Sequence, residues 1–437
     1  MENRNLINLI PKKIIDDYEI DSVEIIDDIP VVITRGKVNE RIKQVLESIF
    51  GEDVKINSLE SNEEVPDETF ENILIQAISK KATDIHLEPK ERSALIRLRI
   101  DGILQNVGEV SKELYLGMLT HIKIRSKLNI AEKRLPQEGG FPFVFNRKNY
   151  DIRVSVIPTL FGEKTALRIL PSDQVLKTME ALGMDSESID VIKKALNKKS
   201  GSIIVSGPTG SGKSSTLHVL VNYLEKNDKN IITIEDPIEI VDKDLNQIQV
   251  NEEIGLTYPV LLKKILRQDP DVVLLGEIRD SETARLECEA SLTGHLILTT
   301  IHTKNCESII LRLLEMKIEP YLIASSVNVI VAQRLVRKLC DNCKTLKPVS
   351  GGIFDLEEAY FANGCKQCNY TGYSGRIGIF EVIELSEKTR NFIYKFESAQ
   401  NLVESIKADC KRTLPSNAVR LIKNGTTSIS EVLKIME

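Results

Sequence analysis

The sequence predicts an α/β protein: a largely parallel, doubly wound P-loop core, preceded by an α+β domain and a small N-terminal module, and carrying a four-cysteine insert near its end. Three observations carry this reading. Gly207-Pro-Thr-Gly-Ser-Gly-Lys213-Ser214 has the G-x-x-x-x-G-K-[S/T] spacing of a phosphate-binding loop, with an apolar strand-like run before it and a helical run after it. From residue 200 to about 300, short apolar runs alternate with helical periodicity, the order of successive βαβ units. Cys340/Cys343 and Cys365/Cys368 form two C-x-x-C pairs close together.

Composition bounds the rest. A chain of 437 residues has room for about three domains, and 42% hydrophobic residues suffice for packed cores. A net charge of -6 argues against a protein built mainly to coat nucleic acid. No run approaches the roughly 18 apolar residues of a membrane span, and no basic segment with an apolar core opens the chain. A cytoplasmic location is expected.

The elements follow in order. In the module over 1–65, strands are expected on either side of Asp27-Asp28, then a helix over 37–50 with Val38, Ile42, Val45, Leu46 and Ile49 on one face. Residues 58–67 read as a linker. The domain over 66–172 opens with a helix over 69–81 presenting Phe70, Ile73, Leu74, Ala77 and Ile78. Strands over 82–88 and 94–101 follow, with Asp101-Gly102 as a hairpin turn. A helix over 115–128 precedes strands over 141–146, 150–158 and 163–170. In the core domain over 173–335, residues 173–199 read as helical. Apolar runs over 202–206, 230–234, 246–250, 272–276 and 295–300 read as strands, and 308–315 and 321–335 as helices. The C-terminal region over 336–437 holds the cysteine insert, 340–368, and helices over 386–394 and 401–410.

The loop residues Gly207, Pro208, Thr209, Gly210, Ser211, Gly212, Lys213, Ser214 and Ser215 are expected to wrap backbone N–H groups around phosphate oxygens at a helix N-terminus. Lys213 reaches the outer phosphates and Ser214 ligates Mg²⁺ in such a site. Two apolar strands end in acids: Val272 to Gly276 in Glu277, and Ile231 to Ile234 in Glu235-Asp236. Glu277 is the expected general base, with Glu235 and Asp236 as organisers of Mg²⁺ and water. His295 and His302 bracket the run 296–301, and a neutral imidazole at a strand end can sense a terminal phosphate. Arg267 and Arg279 are phosphate contacts or structural ion pairs. The four cysteines supply four thiolates for a closed, structural Zn²⁺ site, with iron open as an alternative.

Several runs match one family in order and spacing: Lys81-Ala-Thr-Asp-Ile-His-Leu-Glu-Pro89, Arg99-Ile-Asp-Gly-Ile103, Ile130 to Gln137 and Asp151-Ile-Arg-Val-Ser155. The others are the phosphate loop, Ile234 to Glu239, Leu266 to Val273, Gly276 to Asp280, Ser291 to His295, Ile301-His-Thr303, Ala332-Gln-Arg-Leu335 and the cysteine pairs. Over about residues 70–437 the chain resembles the hexameric ATPases of type II secretion and type IV pilus assembly. The resemblance implies a RecA-like P-loop ATPase core behind a PAS-like α+β domain, with ATP, Mg²⁺ and Zn²⁺ as cofactors. It implies a homohexamer at the inner face of the cytoplasmic membrane, working on an inner-membrane platform protein and with a cytoplasmic-face assembly protein, with no stable nucleic-acid partner. It also implies arginines of the second domain reaching a neighbour's nucleotide, with Arg153 and Arg168 first, then Arg97 and Arg99. Retraction ATPases of the family generally lack the four cysteines, so the insert favours assembly or export. A DNA-uptake or retraction motor and a nucleic-acid-stimulated ATPase are the competing readings.

Overall fold

Alternating side chains decide the architecture. The computed structural model describes residues 6–17, 20–26, 29–34, 40–51, 54–58, 66–171, 178–349, 354 and 356–436. Asp27-Asp28, most of the expected linker and the start of the helix expected from 173 lie outside the described residues. The chain divides into two units, residues 1–141 with 152–169 and residues 142–151 with 170–437.

In the first unit, α1 (Lys12–Asp17), β1 (Ile20–Ile26), β2 (Ile29–Thr34), α2 (Glu40–Phe50) and β3 (Lys55–Ser58) form the N-terminal module. β2 pairs antiparallel with β1 and parallel with β3. Ile42 and Leu46, one turn apart on α2, are buried against Ile10, Ile20 and Val32. Next come α3 (Pro66–Ser79), β4 (Ala82–Pro89), β5 (Ser93–Ile100), β6 (Ile103–Ser111), α4 (Lys112–Arg125), β7 (Gln137–Phe145), β8 (Lys148–Thr159) and β9 (Gly162–Pro171). The strands make one sheet in the order β6-β5-β4-β9-β8-β7. Asp101 and Gly102 both adopt positive φ in the β5–β6 turn, as a two-residue hairpin of this type requires. The expected apolar face of α3 is buried: Phe70, Ile73, Leu74, Ala77 and Ile78.

A buried ion pair ties α4 to β9. Lys123 Nζ lies 2.7 Å from Glu163 Oε1 with both side chains almost fully buried, and it also donates to the carbonyl of Glu132 at 2.8 Å. Gln137 Nε2 donates to the same carbonyl at 2.9 Å, so the loop between α4 and β7 is closed by polar side chains. Removing one buried partner strands the other charge, which costs about 3–5 kcal/mol. Lys123→Ala is expected to lose stability of that order in denaturant unfolding, and Lys123→Met with Glu163→Leu to recover much of it. Equal losses in the single and double variants would contradict a buried charge pair.

The second unit contains α5 (Met179–Leu182), α6 (Ser186–Leu196), β10 (Gly201–Ser206), α7 (Lys213–Tyr223), β11 (Ile231–Glu235), β12 (Asn246–Gln249), α8 (Tyr258–Ile265), β13 (Val272–Leu275), α9 (Ser281–Leu292), β14 (Leu296–Ile301), α10 (Cys306–Glu315), α11 (Pro320–Ser326), β15 (Val327–Leu339), β16 (Thr345–Pro348), β17 (Glu358–Phe361), β18 (Tyr373–Glu384), α12 (Glu387–Lys395), α13 (Ala399–Asp409), α14 (Leu414–Lys423) and α15 (Ile429–Met436). A seven-stranded sheet runs β12-β11-β13-β14-β10-β15-β18, parallel except for the last pair. Ile204 packs with one apolar core, under α8 to α11, while its neighbours Ile203 and Val205 pack with another, beside α6 and α7. Helices therefore cover both faces of the sheet.

Two expected helices differ. Residues 321–335, expected as helix, turn from helix to strand at Val327. The run Val327-Asn-Val-Ile-Val-Ala is β-branched and wholly buried between β10 and β18, where an apolar run fits either state. The helix expected over 173–199 is two pieces in its described part, α5 and α6, because Asp185 caps a new helix by accepting from the N–H groups of Glu187 and Ser188 at 3.1 Å.

Glu287 on α9 is fully buried, with Cys288 Sγ and Ser291 Oγ each donating to its carboxyl at 3.3 Å. Burial pushes its pKa up to about 7. An acid raised in the fold binds its proton more tightly there than in the unfolded chain. Its contribution is full below the unfolded value of 4.5 and is lost as pH rises through about 7. Unfolding free energy of Glu287→Gln minus that of the parent is expected to grow by about 1.4 kcal/mol per pH unit between 4.5 and 7. A pH-independent difference in urea unfolding would contradict a neutral buried acid.

Candidate nucleotide site and four-cysteine centre

Parallel register explains how the nucleotide site assembles. β10 is buried along its whole length and pairs with β14, Ser206 opposite Ile301. β13 pairs with β14, Leu275 opposite Thr299. The residues that follow these strands, Gly207, Gly276-Glu277 and His302, therefore emerge at one edge of the sheet. α7 starts at Lys213, so its free N–H groups and positive end face the loop.

Lys213 Nζ folds back to donate to the carbonyls of Gly207 at 2.9 Å and Pro208 at 3.3 Å, and lies 3.5 Å from His302 Nδ1. Burial lowers the Lys213 pKa, against the pull of Glu277. The other imidazole nitrogen of His302 is 3.1 Å from Glu277 Oε2. Arg279 Nε donates to Glu277 Oε1, and its Nη1 lies 3.0 Å from Asp236 Oδ2. A cation at the start of α7 and an imidazole and a carboxylate just past two strand ends thus stand in one hydrogen-bonded chain. A Cβ at Gly276 would lie 2.7 Å from Tyr258 Oη and 3.1 Å from the Ile234 carbonyl. A side chain at 276 would crowd Tyr258 and the end of β11, and the acid of this strand end is residue 277.

Glu235 sits differently. It is buried at the end of β11 and accepts from Thr233 Oγ1 at 2.7 Å and Gln247 Nε2 at 3.1 Å, with His218 Nε2 at 3.1 Å. Burial works against its ionisation, but these partners outweigh it and hold its pKa below the usual carboxylate range. Both oxygens are engaged, which suits a brace between β11 and α7. His295 stands at the other end of β14, about 20 Å of strand from His302. Its Nδ1 is 3.0 Å from the Ala290 carbonyl. The structure brings His302, not His295, to the loop.

The arginines expected to complete the site lie in the first unit. Arg168 on β9 and Arg99 on β5 flank Asp84 of β4, at 3.2 and 3.7 Å. Arg97 and Lys164 flank Glu88, at 2.6 and 2.8 Å. Burial opposes ionisation of Glu88, but the two cations hold its pKa down to about 2. These residues alternate with the buried Ile85, Leu87, Leu98 and Leu167, so they share the open face of the sheet, and Arg153 is on the outward alternation of β8.

His218 and Gln247 lie in no recognisable motif, and the run Ala332-Gln-Arg-Leu335 by itself assigns Gln333 no role. A signal existed for His218: a polar residue inside the apolar run Leu217 to Val221 of a buried helix needs a partner.

At the end of β15, Cys340, Cys343, Cys365 and Cys368 bring their four Sγ atoms within 4.8 Å of one another. The Cys340–Cys365, Cys343–Cys368 and Cys365–Cys368 pairs are 3.9, 3.8 and 3.8 Å apart. Four sulfurs at about 2.3 Å from a tetrahedral Zn²⁺ are about 3.8 Å apart, so the residues fit that ion. The N–H groups of Cys365 and Gly372 donate to Cys368 Sγ at 3.1 and 3.2 Å, and Asn342 donates to Cys365 Sγ at 3.3 Å. Such bonds stabilise thiolates, and Asn342 leads those that hold the Cys365 pKa to about 6.

A doubly wound sheet with a G-x-x-x-x-G-K-S loop, an acid-ended neighbouring strand and helices on both faces defines a P-loop nucleotide hydrolase. Residues 59–434 match the family model described as Type II/IV secretion system protein, and the chain belongs to that family. It is 40% identical over 363 residues to the type II secretion system protein HxcR of Pseudomonas aeruginosa, covering 83% of this chain and 76% of that one. It is 39% identical over 371 residues to the type II secretion system protein E of Aeromonas hydrophila, covering 83% and 74%. The type IV pilus assembly ATPase PilB of Myxococcus xanthus is 39% identical over 376 residues, covering 83% and 66%. Among solved structures, the Legionella pneumophila ATPase DotB superposes with a TM-score of 0.66 at 19% identity, covering 86% of this chain and 97% of that one. The pilus retraction motor PilT with bound ADP superposes with a TM-score of 0.56 at 24% identity, covering 83% and 96%. Both share the fold. The chain is an ATP hydrolase of the secretion family, using nucleotide with Mg²⁺. Among the described residues, no helix is long and apolar enough to cross a membrane.

Proposed function

We propose that this chain is a ring-forming motor ATPase that drives type IV pilus assembly or type II pseudopilus assembly, at the cytoplasmic face of the membrane and through a platform protein. The observation that supports it most is the chain Lys213–His302–Glu277 at the mouth of the phosphate loop, in a protein resembling both secretion and pilus-assembly ATPases. Residues 207–215 hold the phosphates, and Ser214 holds Mg²⁺, which neutralises phosphate charge when bound. Glu277 takes the proton of the attacking water, and His302 orients Glu277 and responds to the outer phosphate. Glu235 is a positioning residue acting through His218 and α7. His295 takes no part within its own chain. Arg153 and Arg168 of a neighbouring chain complete the charge around the phosphates. The four cysteines hold Zn²⁺ as a structural ion, and the insert favours assembly over retraction.

The purified chain is expected to release phosphate from Mg·ATP and to reach six times the monomer mass by light scattering with nucleotide. A persistent monomer at micromolar concentration without phosphate release would overturn the proposal. Stimulation of turnover by DNA alone would move the reading to a DNA-handling motor.

A further inference from the structure

The phosphate loop is braced from outside its own motif, by one buried amide. Gln333 lies on β15, next to β10 in the sheet, and is almost fully buried. Its Nε2 donates to the Ser211 carbonyl at 2.8 Å, and its Oε1 accepts from Thr216 Oγ1 at 2.7 Å. One end therefore holds the loop backbone and the other holds the first turn of α7. The backbone of the same residue shapes the loop's start: a Cβ at Gly207 would come within 2.5 Å of the Gln333 carbonyl. That carbonyl also accepts from Arg334 Nη1 at 3.0 Å, while Arg334 Nη2 donates to the Lys304 carbonyl beyond His302. Both ends of the Gln333 amide are hydrogen-bonded and the side chain is buried. Its amide donates to a carbonyl at one end and accepts from a hydroxyl at the other, and carries no charge into a site built for anions.

We propose that Gln333 is a positioning residue for ATP binding. It fixes the spacing between the Ser211 peptide and the N-terminus of α7, so that the loop's N–H groups converge on the phosphates before nucleotide arrives. Thr216 is its partner in this. A loop without the brace spends binding energy on ordering itself, so the loss falls on nucleotide affinity. The inference rests on the loop being the ATP site, as proposed above.

The test uses the full chain and a fluorescent ADP analogue, with phosphate release measured in parallel. Gln333→Leu is expected to weaken ADP-analogue binding by about 10-fold or more and to raise KM more than it lowers kcat. Gln333→Glu keeps the acceptor for Thr216, reverses the interaction with the Ser211 carbonyl and brings charge, and is expected to bind worse still. Thr216→Val is expected to weaken binding less, and adding it to Gln333→Leu to cost little more, since both remove one link. Folded Gln333→Leu, shown by an unchanged far-ultraviolet spectrum and unfolding midpoint, with parental affinity would overturn the inference. So would additive losses in the double variant. Failure of the parent to bind the analogue, with Lys213→Ala no different, would instead overturn the assignment of the loop as the ATP site.

Discussion

Replacing Glu277 by Gln is expected to lower ATP turnover by roughly 10²- to 10⁴-fold, the usual worth of a positioned general base, while affinity for ADP stays within a few-fold of the parent. The geometry separates these effects. Glu277 is reached by His302 Nε2 at 3.1 Å and by Arg279, so an amide of the same shape fills the same space and still accepts from one of them. What it loses is the capacity to accept a proton. The phosphate-holding groups, Lys213 and the N-terminus of α7, come from other elements and are untouched. The loss should appear in kcat, the mark of an interaction made in the transition state. Lys213→Ala is the contrasting case, because it removes the cation from the loop and should weaken binding as well. Glu277→Gln retaining more than about a tenth of parental turnover would remove Glu277 as the base.

Replacing any of the four clustered cysteines, or stripping the zinc proposed there, is expected to give the largest stability effect. Structural zinc sites in small domains contribute on the order of 10 kcal/mol of folding free energy. Here the cysteine centre is continuous with the packing of the C-terminal helices. Leu339 N donates to the Thr426 carbonyl at 2.9 Å, and Lys344 Nζ to the Gly425 carbonyl at 3.0 Å. Arg337 pairs with Glu431 at 2.7 Å and stacks over Tyr373 at 3.8 Å, whose hydroxyl is 2.8 Å from Ser428 Oγ. Opening the knuckles therefore loosens α14 and α15 from β15. About one zinc per chain is expected by metal analysis. Cys365→Ser should lose that zinc and lower the melting temperature by at least about 5 °C. A metal-free, reduced parent with the same melting temperature would contradict a structural metal, and iron in place of zinc would correct its identity alone.

Much of the core was legible in the sequence because local rules and the fold agree there. The loop's glycines, the apolar strands that end in acids and the paired cysteines each demand one environment. The apolar stripes of α2 and α3 were legible for the same reason. Reading failed where partners are distant in sequence. Val327 to Ala332 is apolar enough for either helix or strand, and only its place between β10 and β18 decides it. His295 and His302 look equivalent along the chain, yet strand direction sends them to opposite edges of the sheet. Glu235 reads along the chain as an organiser of Mg²⁺ and water, and its hydrogen bonds with the buried His218 and with Gln247 make it an internal brace. Gln333 pairs with residues more than a hundred positions away, which no local pattern announces.

In the ring proposed above, a second chain completes each nucleotide site. Mixing two inactive variants tests it directly. Lys213→Ala spoils the loop and Arg168→Ala, alone or with Arg153→Ala, spoils the arginine side, so each alone should release little phosphate. In a head-to-tail ring, mixed subunits re-create sites with both halves intact. Phosphate release from the mixture is expected to stand well above that of either variant alone, rising to a maximum near equal proportions. Activity that never exceeds the sum of the two variants, in rings shown to exchange subunits, would contradict it.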